Sequence, residues 1–86
     1  MPTNQEISRK LREHANSLAN SGGNLYRVRA FRQAAMAVLA LPEEAASLVT
    51  TNGQRALEQF PGIGKSLAET ITNYVLSELQ LNPVAA

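Results

Sequence analysis

Leu57-Glu58-Gln59-Phe60-Pro61-Gly62-Ile63-Gly64-Lys65-Ser66-Leu67 reads as the end of one helix, a tight turn and the start of another. The residues from Gln54 to Gln59 favour a short helix. Pro61 cannot extend it, because proline has no N–H and disfavours helical geometry at Phe60. Gly62 and Gly64 admit positive φ and put no Cβ over the turn, and Ile63 between them is expected to point into a core. A helix opening at Lys65 presents unbonded N–H groups and the positive end of its dipole beside the glycines, with the Lys65 ammonium at the edge. That combination suits a phosphate oxygen. The plain alternative is a helix–helix turn that binds nothing.

Upstream, the pattern is helical throughout. Thr3 followed by Glu6 is a capping-box signature, and Ile7, Leu11, Ala15 and Leu18 then recur at helical spacing to about Asn20. Arg9, Lys10 and Arg12 lie off that stripe and are balanced by Glu6 and Glu13, as on a solvated face. His14 falls at the stripe's edge and is expected to be partly buried. Ser21-Gly22-Gly23 ends this helix and Asn24 can cap the next.

The second helix is expected to run to Leu41, stopped by Pro42, with Val28, Phe31, Ala35 and Val38 inward. Arg27 flanks that stripe on one side and Arg32 on the other, while Arg29 faces away. These three arginines fall within six residues, and no acid occurs between Leu25 and Leu41. They suit either phosphate contact or the covering of a core edge by their stems. Pro42-Glu43-Glu44 is expected to open a short third helix, with Leu48 and Val49 inward and Thr51-Asn52-Gly53 closing it. The last helix carries Leu67, Ile71, Tyr74, Val75 and Leu79 inward, and Asn82-Pro83 is expected to stop it. No segment alternates with period two. The expectation is a single all-α domain over residues 1–86, of four to five helices, ordered from about 4 to 81, with a frayed tail over 82–86.

Composition narrows the chemistry. Eighty-six residues make one domain with one modest core. The formal net charge of +1 means that any nucleic-acid footprint must be local. There is no cysteine or aspartate, and His14 is the one histidine. Disulfides and thiolate metal sites are thereby excluded, and His14 has no second imidazole, thiolate or aspartate to join it at a metal or catalytic site. No apolar run reaches membrane-spanning length and no signal-peptide core is visible, so the expected setting is cytoplasmic.

The Pro61-Gly62-Ile63-Gly64-Lys65 turn resembles the hairpin of helix-hairpin-helix motifs, which hold DNA backbone without reading bases. Asn24 to Ala35, Leu41-Pro42-Glu43 and Phe60 to Glu69 further resemble, in order and spacing, the N-terminal domain of family X DNA polymerases, of the DNA polymerase beta type. The likeness runs from about Asn4 to Leu79. It implies a compact all-α fold with one helix-hairpin-helix, a DNA partner and a place in DNA repair or replication. In members that use the domain enzymatically, a lysine after Ala-Glu in the hairpin's second helix forms a Schiff base with the sugar left at an incised abasic site. Here that position is Thr70, and a hydroxyl cannot form an imine. Lys65 lies on a different face of that helix, and Lys10 would substitute only if the fold brought it near.

The resemblance also makes Arg27 a phosphate-pocket residue and places Phe31 at an aromatic position of that pocket, while Ser66 stands where the family carries a second lysine. The expected phosphate site is therefore Gly62, Ile63, Gly64, Lys65 and Ser66 with Arg27 assisting. Phe31 and Arg32 are further candidates for DNA contact, and no catalytic residue is expected. Some such hairpins hold Na+ or K+ through turn carbonyls, which by position would be those of Glu58, Phe60 and Ile63. The chain ends where a polymerase's catalytic domain would begin, so it is either free-standing or a fragment. Binding is expected to be sequence-independent and weak, by a monomer. The alternatives are a protein-docking module on the same fold and a residual lyase using another amine.

Overall fold

The computed structural model describes residues 2–84, with side chains to Glu78. Five helices follow one another, and no strand occurs among the described residues: α1 (Asn4–Asn20), α2 (Leu25–Leu39), α3 (Ala45–Asn52), α4 (Arg55–Glu58) and α5 (Lys65–Val84). The all-α expectation holds.

Local signals set most of the boundaries. The Thr3 hydroxyl accepts from the Glu6 amide at 3.1 Å while the Glu6 carboxylate accepts from the Thr3 amide, closing the capping box. At the other end of α1, Gly22 adopts φ +76°. The Gly23 amide returns to the Leu18 carbonyl at 2.7 Å and the Gly22 amide to that of Ala19, a Schellman closure that satisfies two terminal carbonyls. Asn24 caps α2 through its side-chain oxygen, 2.7 Å from the Tyr26 amide. The resulting hairpin of helices packs α1 against α2 along most of their length.

The expected apolar stripes meet in one core. Ile7, Leu11 and Ala15 from α1 and Val28, Phe31, Ala35 and Val38 from α2 are buried. So are Leu48 and Val49 from α3, Leu57 from α4, Ile63 from the turn, and Leu67, Ile71 and Val75 from α5. Leu18 and Tyr74 are half-buried against this cluster. Leu79, also expected inward, lies outside the residues whose side chains are described.

Several boundaries differ from expectation. α2 ends at Leu39, not Leu41: the amides of Ala40 and Leu41 bond to the carbonyls of Ala37 and Val38, a tightening of the last turn that precedes the non-helical backbone favoured before Pro42. Pro42-Glu43-Glu44 lies before α3 rather than in its first turn. α4 is a single turn, shorter than the Gln54–Gln59 span. α5 continues through Pro83 to Val84, past the stop expected at Asn82-Pro83. Ala85 and Ala86, the end of the expected tail, lie outside the described residues.

Asn4 accounts for the late start of α3. This buried residue accepts from the Ala45 amide at 2.7 Å through Oδ1 and donates from Nδ2 to the Glu43 carbonyl at 3.0 Å. Its own amide donates to the Glu44 carboxylate at 3.2 Å. The N-terminus of α3 is therefore capped by a side chain of α1, and that of α1 by a carboxylate next to α3. Two positive dipole ends are brought together with an anionic oxygen between them. This lock closes the chain into one unit and fixes α1, and hence α2, beneath the hairpin.

Candidate nucleic-acid interface

The turn between α4 and α5 is built from Phe60 to Ile63. The Ile63 amide bonds to the Phe60 carbonyl at 3.2 Å, Pro61 takes the second position and Gly62 the third at φ +89°. These are the features of a type II turn, whose third residue must be left-handed. Gly62 is required twice over, since a Cβ there would stand 3.1 Å from the Cβ of Ala37 and 3.6 Å from the Gln33 carbonyl oxygen on α2. The turn thus rests directly on α2, with Ile63 driven 98% into the core beneath it (2% exposed).

Gly64 has a different reason from the one expected. Its φ is not positive, and a Cβ on it would meet nothing within 4 Å. It faces outward at the start of α5, where its carbonyl accepts the Ala68 amide at 2.8 Å. Bare backbone here leaves room for an incoming group. Among the described residues, no protein acceptor meets the amides of Gly64, Lys65 or Ser66. Lys65 and Ser66 are exposed, and α5 carries no acid in its first turn. Three free donors, a helix dipole and an ammonium therefore converge on one open groove, lined by Gly62 to Leu67 and by Ala30 and Gln33 of α2.

The remaining candidates divide. Arg27 is exposed and sits one turn before Ala30 on α2, about 60° around the helix from it. Its guanidinium lies over the ring of Phe31, 5.4 Å from the centroid. Phe31 is about 100° around α2 from Ala30, and Arg27 is not among the residues lining the hairpin groove. Phe31 itself is 2% exposed and supports Arg27 from the core. Arg32 is exposed but about 160° around α2 from Ala30, and it donates to Asn16 of α1 at 3.4 Å. It does not belong to the hairpin groove. His14 is exposed rather than partly buried. It stacks on Phe31 with centroids 4.4 Å apart, so its ring covers the core edge while remaining in solvent.

A second, narrower pocket of about 160 Å³ lies between α1, α2 and α5, walled by Ile7, Leu11, Phe31 and Ile71. Thr70, His14 and Tyr74 border it, and so does Lys10. The fold therefore brings Lys10 to the pocket of Thr70, which sequence order did not reveal. Lys10 lies about 60° from Ile7 around α1, off the apolar stripe, and its helical phase alone does not name the neighbour it meets. Thr70 bonds back to the Ser66 carbonyl at 3.1 Å. Lys10 is exposed, with its amine 4.0 Å from the Glu13 carboxylate. The Tyr74 phenol is held above its usual range, first by burial and then by the nearby carboxylates of Glu78 and Glu6.

Residues 2–78 match a family model described as a helix-hairpin-helix domain, and the elements fit it: α4, the Phe60–Gly64 turn and α5. The chain belongs to the helix-hairpin-helix domain family. Helix-hairpin-helix domains generally bind DNA without sequence preference, and the groove of this one presents the backbone donors such binding uses. No curated protein and no solved structure matches the chain significantly. Among the described residues, no helix is long and apolar enough to cross a membrane, and no cluster of three metal-ligating side chains occurs.

Proposed function

We propose that this helix-hairpin-helix domain grips the phosphate backbone of DNA, sequence-independently, in repair or replication, through the amides of Gly64, Lys65 and Ser66 and the Lys65 ammonium, with Arg27 adding a second cation. The observation that carries this reading is the open N-terminus of α5, whose donors have no protein acceptor and no competing acid. The donors gathered in the groove are backbone amides and one ammonium, which suit phosphate oxygens and carry no sequence information. The same reading makes the domain a relative of the N-terminal domain of family X polymerases, with the phosphate-gripping part kept.

The test is a salt series on unrelated duplex, gapped and single-stranded DNA. Lys65→Ala and Arg27→Ala are each expected to weaken binding about equally on all sequences and to flatten the log–log salt slope by roughly one unit. Arg29→Ala, which removes the same charge from the outer face of α2, controls for long-range attraction. Equal, small effects from all three would mean diffuse attraction and no phosphate site at the hairpin. Absence of binding to every DNA form at low salt would transfer the hairpin to the protein-docking reading.

We also propose that the domain has no Schiff-base lyase activity. Attack on a sugar aldehyde needs an amine lone pair, with water leaving as the imine forms, and Thr70 offers only a hydroxyl. Lys10 borders the pocket but stands in solvent beside Glu13, outside the apolar walls. Borohydride reduction with an incised abasic substrate is expected to leave no covalent adduct. An adduct that disappears in Lys10→Ala would instead make Lys10 the nucleophile.

The carbonyls of Glu58, Phe60 and Ile63 are proposed to hold Na+ or K+ between the turn and a phosphate. The Phe60 carbonyl already accepts one amide, and its second lone pair remains for an ion. Replacing K+ by tetramethylammonium at constant ionic strength is expected to weaken DNA binding. Unchanged affinity would leave the grip to the amides alone.

A further inference from the structure

The outer face of α2 is a second surface, independent of the hairpin groove. Leu25, Arg29, Arg32, Met36 and Leu39 follow one another at spacings of four, three, four and three. That spacing keeps all five within an arc of about 80° on a helix, the register of a coiled-coil seam. On a surface helix this seam would normally face the core. Here the core takes a stripe centred about 120° further around the helix, and the seam's three large apolar side chains stand in solvent: Leu25 is 71% exposed, Met36 65% and Leu39 51%.

The neighbouring helix extends the surface. Leu39 shares an open cleft with Arg9 and Arg12 of α1, and the Arg32–Asn16 hydrogen bond ties the two helices along the same side. The antiparallel α1–α2 pair therefore presents a shallow groove, apolar at the ends of its α2 wall and carrying four arginines against two carboxylates, Glu6 in the cleft and Glu13 at 4.0 Å from Arg9.

We propose that this groove docks an amphipathic helix of another protein, one with apolar residues facing Leu25, Met36 and Leu39 and carboxylates facing the arginines. The charge pattern selects this occupant. A second copy of the chain laid antiparallel on the same face would bring Arg32 against its own counterpart with both Arg29 residues nearby, a like-charge contact that disfavours self-pairing. Duplex DNA would satisfy the arginines but would place the three apolar side chains against phosphate. A third helix carrying carboxylates satisfies both, completing a three-helix packing on α1 and α2.

The test uses a synthetic helical peptide with leucines on its seam and glutamates flanking them, its fluorescence anisotropy followed with the intact 86-residue chain. A matched peptide with lysine in place of every glutamate is the charge control. The glutamate peptide is expected to bind at least tenfold more tightly. The triple variant Leu25→Ala, Met36→Ala, Leu39→Ala should lose that binding by at least tenfold while hairpin binding to DNA stays within twofold. Alanine is the best helix former, so these exposed changes leave α2 folded. Arg29→Glu should narrow the preference for the glutamate peptide over the lysine peptide. Equal affinity for the two peptides, or binding indifferent to the triple variant, overturns the proposal. Concentration-dependent dimerisation abolished by Met36→Ala would assign the face to a second copy, and displacement of the peptide by duplex DNA would assign it to nucleic acid; either overturns it as well.

Discussion

Asn4→Ala is expected to lower stability by about 2–3 kcal/mol, from the loss of a helix cap together with a buried donor left without its partner. In a domain of this size each kcal/mol moves the midpoint of thermal unfolding by several degrees, so the midpoint should fall by about 10–20 °C. The size follows from the position. Asn4 is buried and serves two residues of the α3 entry at once, Ala45 as acceptor and Glu43 as donor. Truncation leaves the Ala45 amide facing a gap that alanine's methyl cannot fill with an acceptor. Thr3→Ala is the comparison. It removes an exposed cap one residue away, for which water can substitute, and should cost about 1 kcal/mol. Thermal unfolding by circular dichroism of both variants decides the matter. Equal losses would mean that the α1–α3 lock contributes no more than a surface cap.

This lock also shows where sequence reading stopped. The capping box at Thr3 and Glu6, the Asn24 cap and the Gly22-Gly23 closure join residues two to five apart, so the chain itself carries both halves of each signal. Asn4 and Ala45 are 41 residues apart. Nothing local distinguishes an asparagine that will cap a distant helix from one that begins its own. The same reason explains Glu44, whose acid was expected to favour the helix that follows it but whose carboxylate serves α1 instead. Helical periodicity states which residues share a face, not which face of a neighbour they meet. Lys10 and Thr70 were each assignable to a face of its own helix, and only the packing of α1 on α5 put them at one pocket. His14 at a stripe's edge was undecidable for a related reason, because the angle at which two helices cross determines whether an edge position is covered.

The hairpin itself was more legible, since it resides in a contiguous turn. Pro61 and Gly62 specified the turn type and Lys65 the helix start, and each is where the pattern placed it. Gly62 and Gly64 nevertheless looked equivalent in sequence and are not. One is bound by backbone conformation and by contact with α2, the other by nothing in the protein. The absence of any internal need for Gly64 is what directs attention outward, to a partner that requires bare backbone. Phe31 was expected both in the inward stripe of α2 and, by resemblance, at a binding pocket; helical phase put its ring inside, where it is 2% exposed.

Gly64→Val should therefore separate binding from folding, as Gly62→Ala cannot. At Gly62 any side chain meets left-handed backbone and the Cβ of Ala37, a combination that strains the turn itself. At Gly64 the space is open and φ is ordinary, so valine's cost is confined to a poorer helix cap, about 1 kcal/mol. Its branched Cβ would nonetheless stand beside the free amides of Lys65 and Ser66, which a phosphate oxygen must approach to about 2.7–2.9 Å. Losing one such charge-assisted hydrogen bond, at about 1.5–3 kcal/mol, is expected to weaken DNA binding by about 10- to 100-fold at low salt, with helix content unchanged. The salt slope supplies the discriminating readout. Amides carry no net charge and displace few counterions, so Gly64→Val should reduce affinity with the slope nearly intact, whereas Lys65→Ala should lower both. Full binding by Gly64→Val together with a weakened Lys65→Ala would show an ionic contact without a backbone grip, and the open N-terminus of α5 would then have no part in holding DNA.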